Sequence, residues 1–127
     1  SAYIFDLNGT QIAKITASDA AAYDYFGYSV AVGNGRIVVG AYGDNNGAGS
    51  VSGSAYIFDL DGTQIAKITA SDAAAFDYFG WSVAVGSGRI VVGAYSNDDG
   101  GSSSGSAYIY NTPEVITPYE VQDWERV

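Results

Sequence analysis

Apolar positions in this chain come in short stretches of strand character, each bounded by turn formers. Ser1 to Leu7 is a nearly continuous run of aromatic and β-branched residues and predicts a strand. The Asn8-Gly9 pair that follows is the dipeptide favoured by a type I′ hairpin, in which both central residues need positive φ. The returning segment, Gln11 to Thr16, alternates more and carries Lys14, as expected of an exposed outermost strand that must resist foreign pairing. Tyr28 to Val32 and Arg36 to Tyr42 predict a second hairpin about Asn34-Gly35. Their Val30-Ala31-Val32 and Ile37-Val38-Val39 stretches are apolar at successive positions, so both faces are expected to be buried. Two longer loops, Ala17 to Gly27 and Gly43 to Gly53, complete a unit of four antiparallel strands, the second loop being rich in Gly, Ser, Asn and Asp.

That unit is written twice. Ser1 to Tyr42 returns as Ser54 to Tyr95 with only Asn8/Asp61, Tyr23/Phe76, Tyr28/Trp81 and Asn34/Ser87 changed, and a third copy begins at Ser106, giving periods of 53 and 52 residues. A fixed period in this range marks units that cannot bury their apolar faces alone and stack on their neighbours. Four short strands per unit, with sheets apolar on both faces, fit the blades of an all-β propeller. Phe26-Gly27 opening one strand and Gly40-Ala41-Tyr42 closing the next, repeated as Phe79-Gly80 and Gly93-Ala94-Tyr95, resemble the FG-GAP repeat of integrin α-subunit propellers and their bacterial and phage relatives. The resemblance covers Ser1 to Tyr110. Tyr42 and Tyr95 stand where the family's last letter is usually Pro, a departure expected to affect loop stiffness more than fold.

The resemblance implies that the FG strand is innermost. Residues 28–69 then make one complete four-stranded blade, residues 1–16 a half blade of two outer strands, and residues 81–121 a second blade. The fourth strand of that second blade comes from Glu114 to Val121 or from another chain, and residues 111–127 form a tail without a repeat counterpart. About two and a half blades cannot close a ring, since propellers need roughly four to eight. The expected partners are therefore further blades of a longer parent or other copies in a closed homo-oligomer. One route pairs residues 1–16 of one copy with the last blade of the next, in place of that copy's Ser106 strand or tail.

Composition removes most alternatives. A net charge of −9 with five scattered bases repels phosphate backbones and anionic lipid, so nucleic acid is not an expected partner. The absence of Cys and His removes disulfides, thiolate sites, the usual general base and the commonest zinc ligand. No apolar run approaches the ~20 residues of a membrane helix, so membrane insertion is not expected. The chain begins at Ser1 rather than Met, so the lack of a leader says nothing of compartment.

The integrin-type calcium loop does not transfer, because the corresponding connections are only Gly33-Asn34-Gly35 and Gly86-Ser87-Gly88. Asp59-Leu60-Asp61-Gly62 opens like a calcium loop, yet Gln64 and Ala70 stand where such a loop needs its glycine and its bidentate acid. The long loops are better placed. Asp19 and Asp24 with Asp44, Asn45 and Asn46 are expected to converge at one rim, as are their repeats Asp72, Asp77, Asn97, Asp98 and Asp99. Weak Ca²⁺ binding at Asp19, Asp24, Asp72 and Asp77 suits such oxygen ligands, although no cofactor is required and simple turn chemistry explains the same letters. Tyr23, Tyr25 and Asp44, with Phe76, Tyr78 and Asp98, are the candidate ligand-binding residues of the rim. Phe26 and Tyr28 are expected to pack between blades.

With no His and no nucleophile motif, catalysis has too few players, and an enzyme is not expected. Asn8-Gly9-Thr10 matches a glycosylation sequon but reads better as a turn. Two functions remain open. The resemblance implies an extracellular, cell-surface or virion-surface propeller that recognises protein or glycan. Near-identity of the units suits instead a structural subunit of a self-assembling ring, fibre or appendage.

Overall fold

The computed structural model describes residues 1–45, 49–97 and 101–113, and among these there is no helix. Nine strands follow in order: β1 (Ala2–Phe5), β2 (Gln11–Ile15), β3 (Ser29–Gly33), β4 (Arg36–Ala41), β5 (Ser54–Asp59), β6 (Gln64–Ile68), β7 (Phe79–Gly86), β8 (Arg89–Ala94) and β9 (Ser106–Asn111). They form three antiparallel sheets: β1-β2, β3-β4-β5-β6 and β7-β8-β9. Each larger sheet therefore takes its inner hairpin from one sequence repeat and its outer strands from the next. A fourth strand for the third sheet, expected from Glu114 to Val121, lies outside the described residues, as do Asn46, Asp98 and Asp99.

Successive residues of β4 explain the doubly apolar run. Val39 and Ala41 pack with Tyr56 and Phe58 against Ala2, Ile4 and Ile15 of the first sheet. Val38, with Ala55 and Ile57, packs the other way against Phe79, Ile90, Val92 and Ala94 of the third. Period-two alternation sends neighbouring side chains to opposite neighbours, so a strand in the middle of the stack needs no polar face. Full burial of each such Val, Ile or Phe side chain contributes roughly 1.5–3 kcal/mol.

The sheets meet where Phe79-Gly80 wedges into the second sheet. Phe79 is fully buried, edge-on to Tyr108 and Tyr110, and its amide donates to the Ser52 carbonyl at 3.0 Å. Gly80 has φ +94, and a Cβ there would overlap the Ser54 carbonyl oxygen. Its own carbonyl accepts the Ser29 hydroxyl at 2.9 Å. Only glycine allows that approach.

Three sequence expectations are corrected. Asn34 and Gly35 both take positive φ, 53 and 72, as a type I′ turn requires, but at Asn8-Gly9 only Gly9 does. There Gly9 donates to the Asp6 carbonyl, and the Asp6 carboxylate accepts the Asn8 and Thr10 amides, which pulls the connection into a longer turn. Val30 and Val32, expected inside, are 59% and 66% exposed, because among the described residues the first sheet has no inner strands to cover that face of β3. Tyr28, expected between sheets, stays on the surface at 55% exposure and turns to other rings instead.

Gly80→Ala is expected to cost more than about 2 kcal/mol, since it combines a left-handed φ with backbone overlap. Gly86→Ala, where a Cβ meets nothing within 4 Å, serves as the control and should change stability by less than about 0.5 kcal/mol. Urea unfolding of the two variants measures the difference.

Candidate functional site

The rim loops hold two distinct constructions. The first is an acid cluster closed by the protein's own lysine. Lys67, on the outermost strand β6, places Nζ 2.5 Å from Asp19 Oδ2 and 2.8 Å from Asp44 Oδ2. Tyr56 donates its hydroxyl to Asp19 Oδ1 at 2.7 Å, and Ser54 donates to Asp44 Oδ2 at 2.5 Å. The Lys67 and Tyr56 hydrogen bonds hold the Asp19 carboxyl below the usual aspartate range. Burial pulls against the charge of Lys67, but its bonds to Asp19, Asp44 and Tyr56 win and its pKa rises. Burial, reinforced by the bond to Asp19, pushes the Tyr56 hydroxyl up.

Asp24 is buried beside this cluster. Its carboxylate accepts the Ala21 amide at 2.9 Å, and desolvation pushes its pKa up. Asp77 repeats the arrangement with the Ala74 amide at 3.1 Å and adds the Asn97 amide nitrogen at 3.3 Å. Asp72 accepts the Tyr108 hydroxyl at 2.5 Å. Each candidate metal ligand thus satisfies loop amides, hydroxyls or Lys67, and among the described residues no three acidic groups gather to hold a metal ion. Lys67 was not among the residues singled out from the sequence. It lies 48 positions from Asp19, and its only sequence signal was a place on an edge strand.

The second construction is a continuous terrace of rings. Tyr25 stacks on Tyr42 at 5.1 Å between centroids and 9° between planes. Tyr42 also meets Tyr28 at 4.8 Å, Trp81 at 4.6 Å and Tyr78 at 5.8 Å. Trp81 meets Tyr95 at 4.5 Å, and Tyr78 stacks on Tyr95 at 5.3 Å and 13°. Tyr23 continues the line 6.4 Å beyond Tyr25 and is 79% exposed. Burial among these rings, then the neighbouring tyrosines, raises the Tyr42 hydroxyl pKa.

The terrace carries backbone strain, twice. Tyr23 and Tyr25 have φ of 67 and 57, and their repeats Phe76 and Tyr78 have 65 and 59. Bulky residues rarely occupy that left-handed region, and each instance costs of order 1–3 kcal/mol. Phe76 is exposed, its amide donating to the Ser50 carbonyl at 2.8 Å. Of the rim aromatics chosen from sequence, Tyr23, Tyr25 and Tyr78 join the terrace. Tyr42, Tyr95, Tyr28 and Trp81 complete it. The signal for Tyr42 and Tyr95 was the replacement of the customary Pro, which here also supplies rings to an aromatic surface.

Lys67→Met should destabilise the fold by about 1–3 kcal/mol, because it strands the nearly buried Asp44 carboxylate, with the exposure of Asp19 reducing the full buried-pair value. Since the Asp19 pKa is depressed, its contribution is fully present above the ordinary value of 3.8 and is lost as pH falls through the folded one. Acid titration of stability should therefore fall less steeply below about pH 4 in Asp19→Asn than in wild type.

The FG-GAP repeat profile matches residues 10–58 and 63–110. Each match starts just before an outermost strand, crosses the Phe-Gly segment and the inner hairpin, and ends in the third strand of the following sheet. No curated protein matches the chain at a significant level. Members of the family are generally not enzymes. Two matches covering most of the chain, with a Phe-Gly wedge between the second and third sheets, show that this chain belongs to the FG-GAP repeat family and that its sheets are β-propeller blades.

Proposed function

We propose that this chain is a non-catalytic recognition module that binds a neutral glycan or a neutral-to-basic protein face through its aromatic terrace. The observation that carries this reading is the ladder Tyr25-Tyr42-Trp81-Tyr95, with Tyr23, Tyr28 and Tyr78 attached. Tyr and Trp offer large, rigid contact area at small entropic cost, and their flat faces suit both sugar rings and protein hot spots. Surface aromatics in one contiguous patch mark binding sites. The strained backbone at Tyr23, Tyr25, Phe76 and Tyr78 supports the same reading, since such strain is typical of preorganised contact surfaces. A net charge of −9 disfavours acidic ligands.

The integrin-like resemblance supports an extracellular, cell-surface or virion-surface setting for this activity. This reading calls on no calcium at the rim acids, two of which, Asp19 and Asp44, already share the ammonium of Lys67.

Calorimetric titration with a panel of neutral oligosaccharides, and with the proteins they decorate, tests the reading. Tyr42→Ala with Tyr95→Ala should leave the β-sheet circular dichroism intact and weaken any binding found by about tenfold or more, the scale of an aromatic hot spot. Binding that is unaffected by the pair would place recognition elsewhere on the module.

A further inference from the structure

Among the described residues the first and third sheets are partial in complementary ways. The first holds the two outer strands β1 and β2, and among the described residues no strand lies beside the inner edge of β1. Next to that edge runs an open groove of about 710 Å³ lined largely by apolar side chains, among them Tyr3, Phe5, Val30, Val32, Ile37 and Leu60. The third sheet has the inner hairpin β7-β8, and its outward face exposes Val91 and Ile109.

The second sheet shows what both surfaces do when they are met. β4 reads Arg36-Ile37-Val38-Val39-Gly40-Ala41 and pairs with β5, Ser54-Ala55-Tyr56-Ile57-Phe58-Asp59. β8 repeats the letters of β4, and residues 1–6 repeat those of β5. In the second sheet Arg36 and Asp59 face each other and form an ion pair at 2.9 Å. The other two sheets split that pair. In the third, Arg89 is exposed and faces Asn111 across β8-β9, its guanidinium donating to the Gly88 carbonyl. In the first, Asp6 is exposed and, among the described residues, its carboxylate bonds the amides of its own turn. Lys14 is divided from its acids in the same way: it lies 5.7 Å from the Tyr3 ring with no ion pair among the described residues, whereas its repeat Lys67 bonds Asp19 and Asp44.

We infer that β1-β2 of one copy docks on β7-β8 of a second copy, displacing β9. The pairing follows the β4-β5 register, so Arg89 faces Asp6, Val91 faces Ile4 and Gly93 faces Ala2. Ala2-Tyr3-Ile4 substitutes for the identical Ala107-Tyr108-Ile109, so the exchange itself is close to neutral. The gains are the outer strand β2, the Arg89–Asp6 pair, the arrival of Lys14 at Asp72 in the manner of Lys67 at Asp19, and coverage of Val30 and Val32 of the first copy by β7-β8 of the second. Such a head-to-tail contact repeats until it closes. Each copy then contributes one whole sheet and two halves, so two, three or four copies make a ring of four to eight blades. This inference is independent of what the aromatic terrace binds.

The test uses the full chain at tens of micromolar in size exclusion with light scattering. A mass two, three or four times 13.2 kDa is expected, and a folded monomer overturns the proposal. Arg89→Asp should weaken assembly by about tenfold, since it opposes Asp6 with a like charge. The double variant Asp6→Arg with Arg89→Asp should regain the assembly, and its failure to do so overturns the proposal. Because the chain has no cysteine, a mixture of separate Ile4→Cys and Val91→Cys variants supplies a second measurement. Oxidation should link one of each into a covalent dimer. Assembly without that cross-link means that the copies meet elsewhere and also overturns the proposal.

Discussion

The close approach of backbone to backbone at Phe79-Gly80 governs the architecture. β7 begins by running a fully buried ring into the boundary between sheets while Gly80 lies directly against Ser54 and Ala41. No side chain intervenes, so the separation and angle of the two sheets are set there by the main chain and not by adaptable packing. The same contact demands a bare Gly40, because a Cβ on it would strike the Gly80 carbonyl and the Ser29 hydroxyl. Once the angle is fixed, the alternation of β4 and β5 between two neighbours follows, and so does the position of every rim loop. The aromatic terrace is a product of this geometry: Tyr28 and Trp81 each adjoin a wedge glycine, and Tyr42 and Tyr95 each follow the inner hairpin's second strand.

Local chemistry was readable from the sequence wherever a residue's neighbours in space are its neighbours in the chain. The strands, the Asn34-Gly35 turn and the outermost place of Lys14 all fall in that class. The Asn8-Gly9 turn did not, because Asp6 offers its carboxylate to two loop amides and so outcompetes the tighter hairpin. Burial was legible only as a demand. Val30 and Val32 have the composition of covered residues, but what covers them is a matter of which strands stand opposite. The acid cluster was half legible: Asp19 and Asp44 were placed at one rim, while the lysine that joins them comes from a strand in the next repeat.

Identical letters occupy different thermodynamic settings in the three sheets. Tyr3 is 53% exposed and Tyr56 fully buried, although both sit in the same Ser-Ala-Tyr-Ile-Phe segment. Arg36 has a carboxylate across the ladder where Arg89 has an amide residue. A charge that is bonded in the interior stage of a stack and solvated at its end contributes little to overall stability, yet it distinguishes a correctly registered neighbour from a slipped one. The ionic groups here act as register marks along otherwise uniform apolar strands.

The offset between repeat and sheet has a genetic consequence. Every blade boundary lies inside a repeat, with the inner hairpin encoded upstream and the outer strands downstream. Insertion or loss of one near-identical repeat would add or remove a whole unit while leaving both halves of each blade with a matching partner. Copy number in such a gene is therefore free to drift without any intermediate that exposes a mismatched seam. Selection on the number of terrace steps can then act on entire blades rather than on single substitutions.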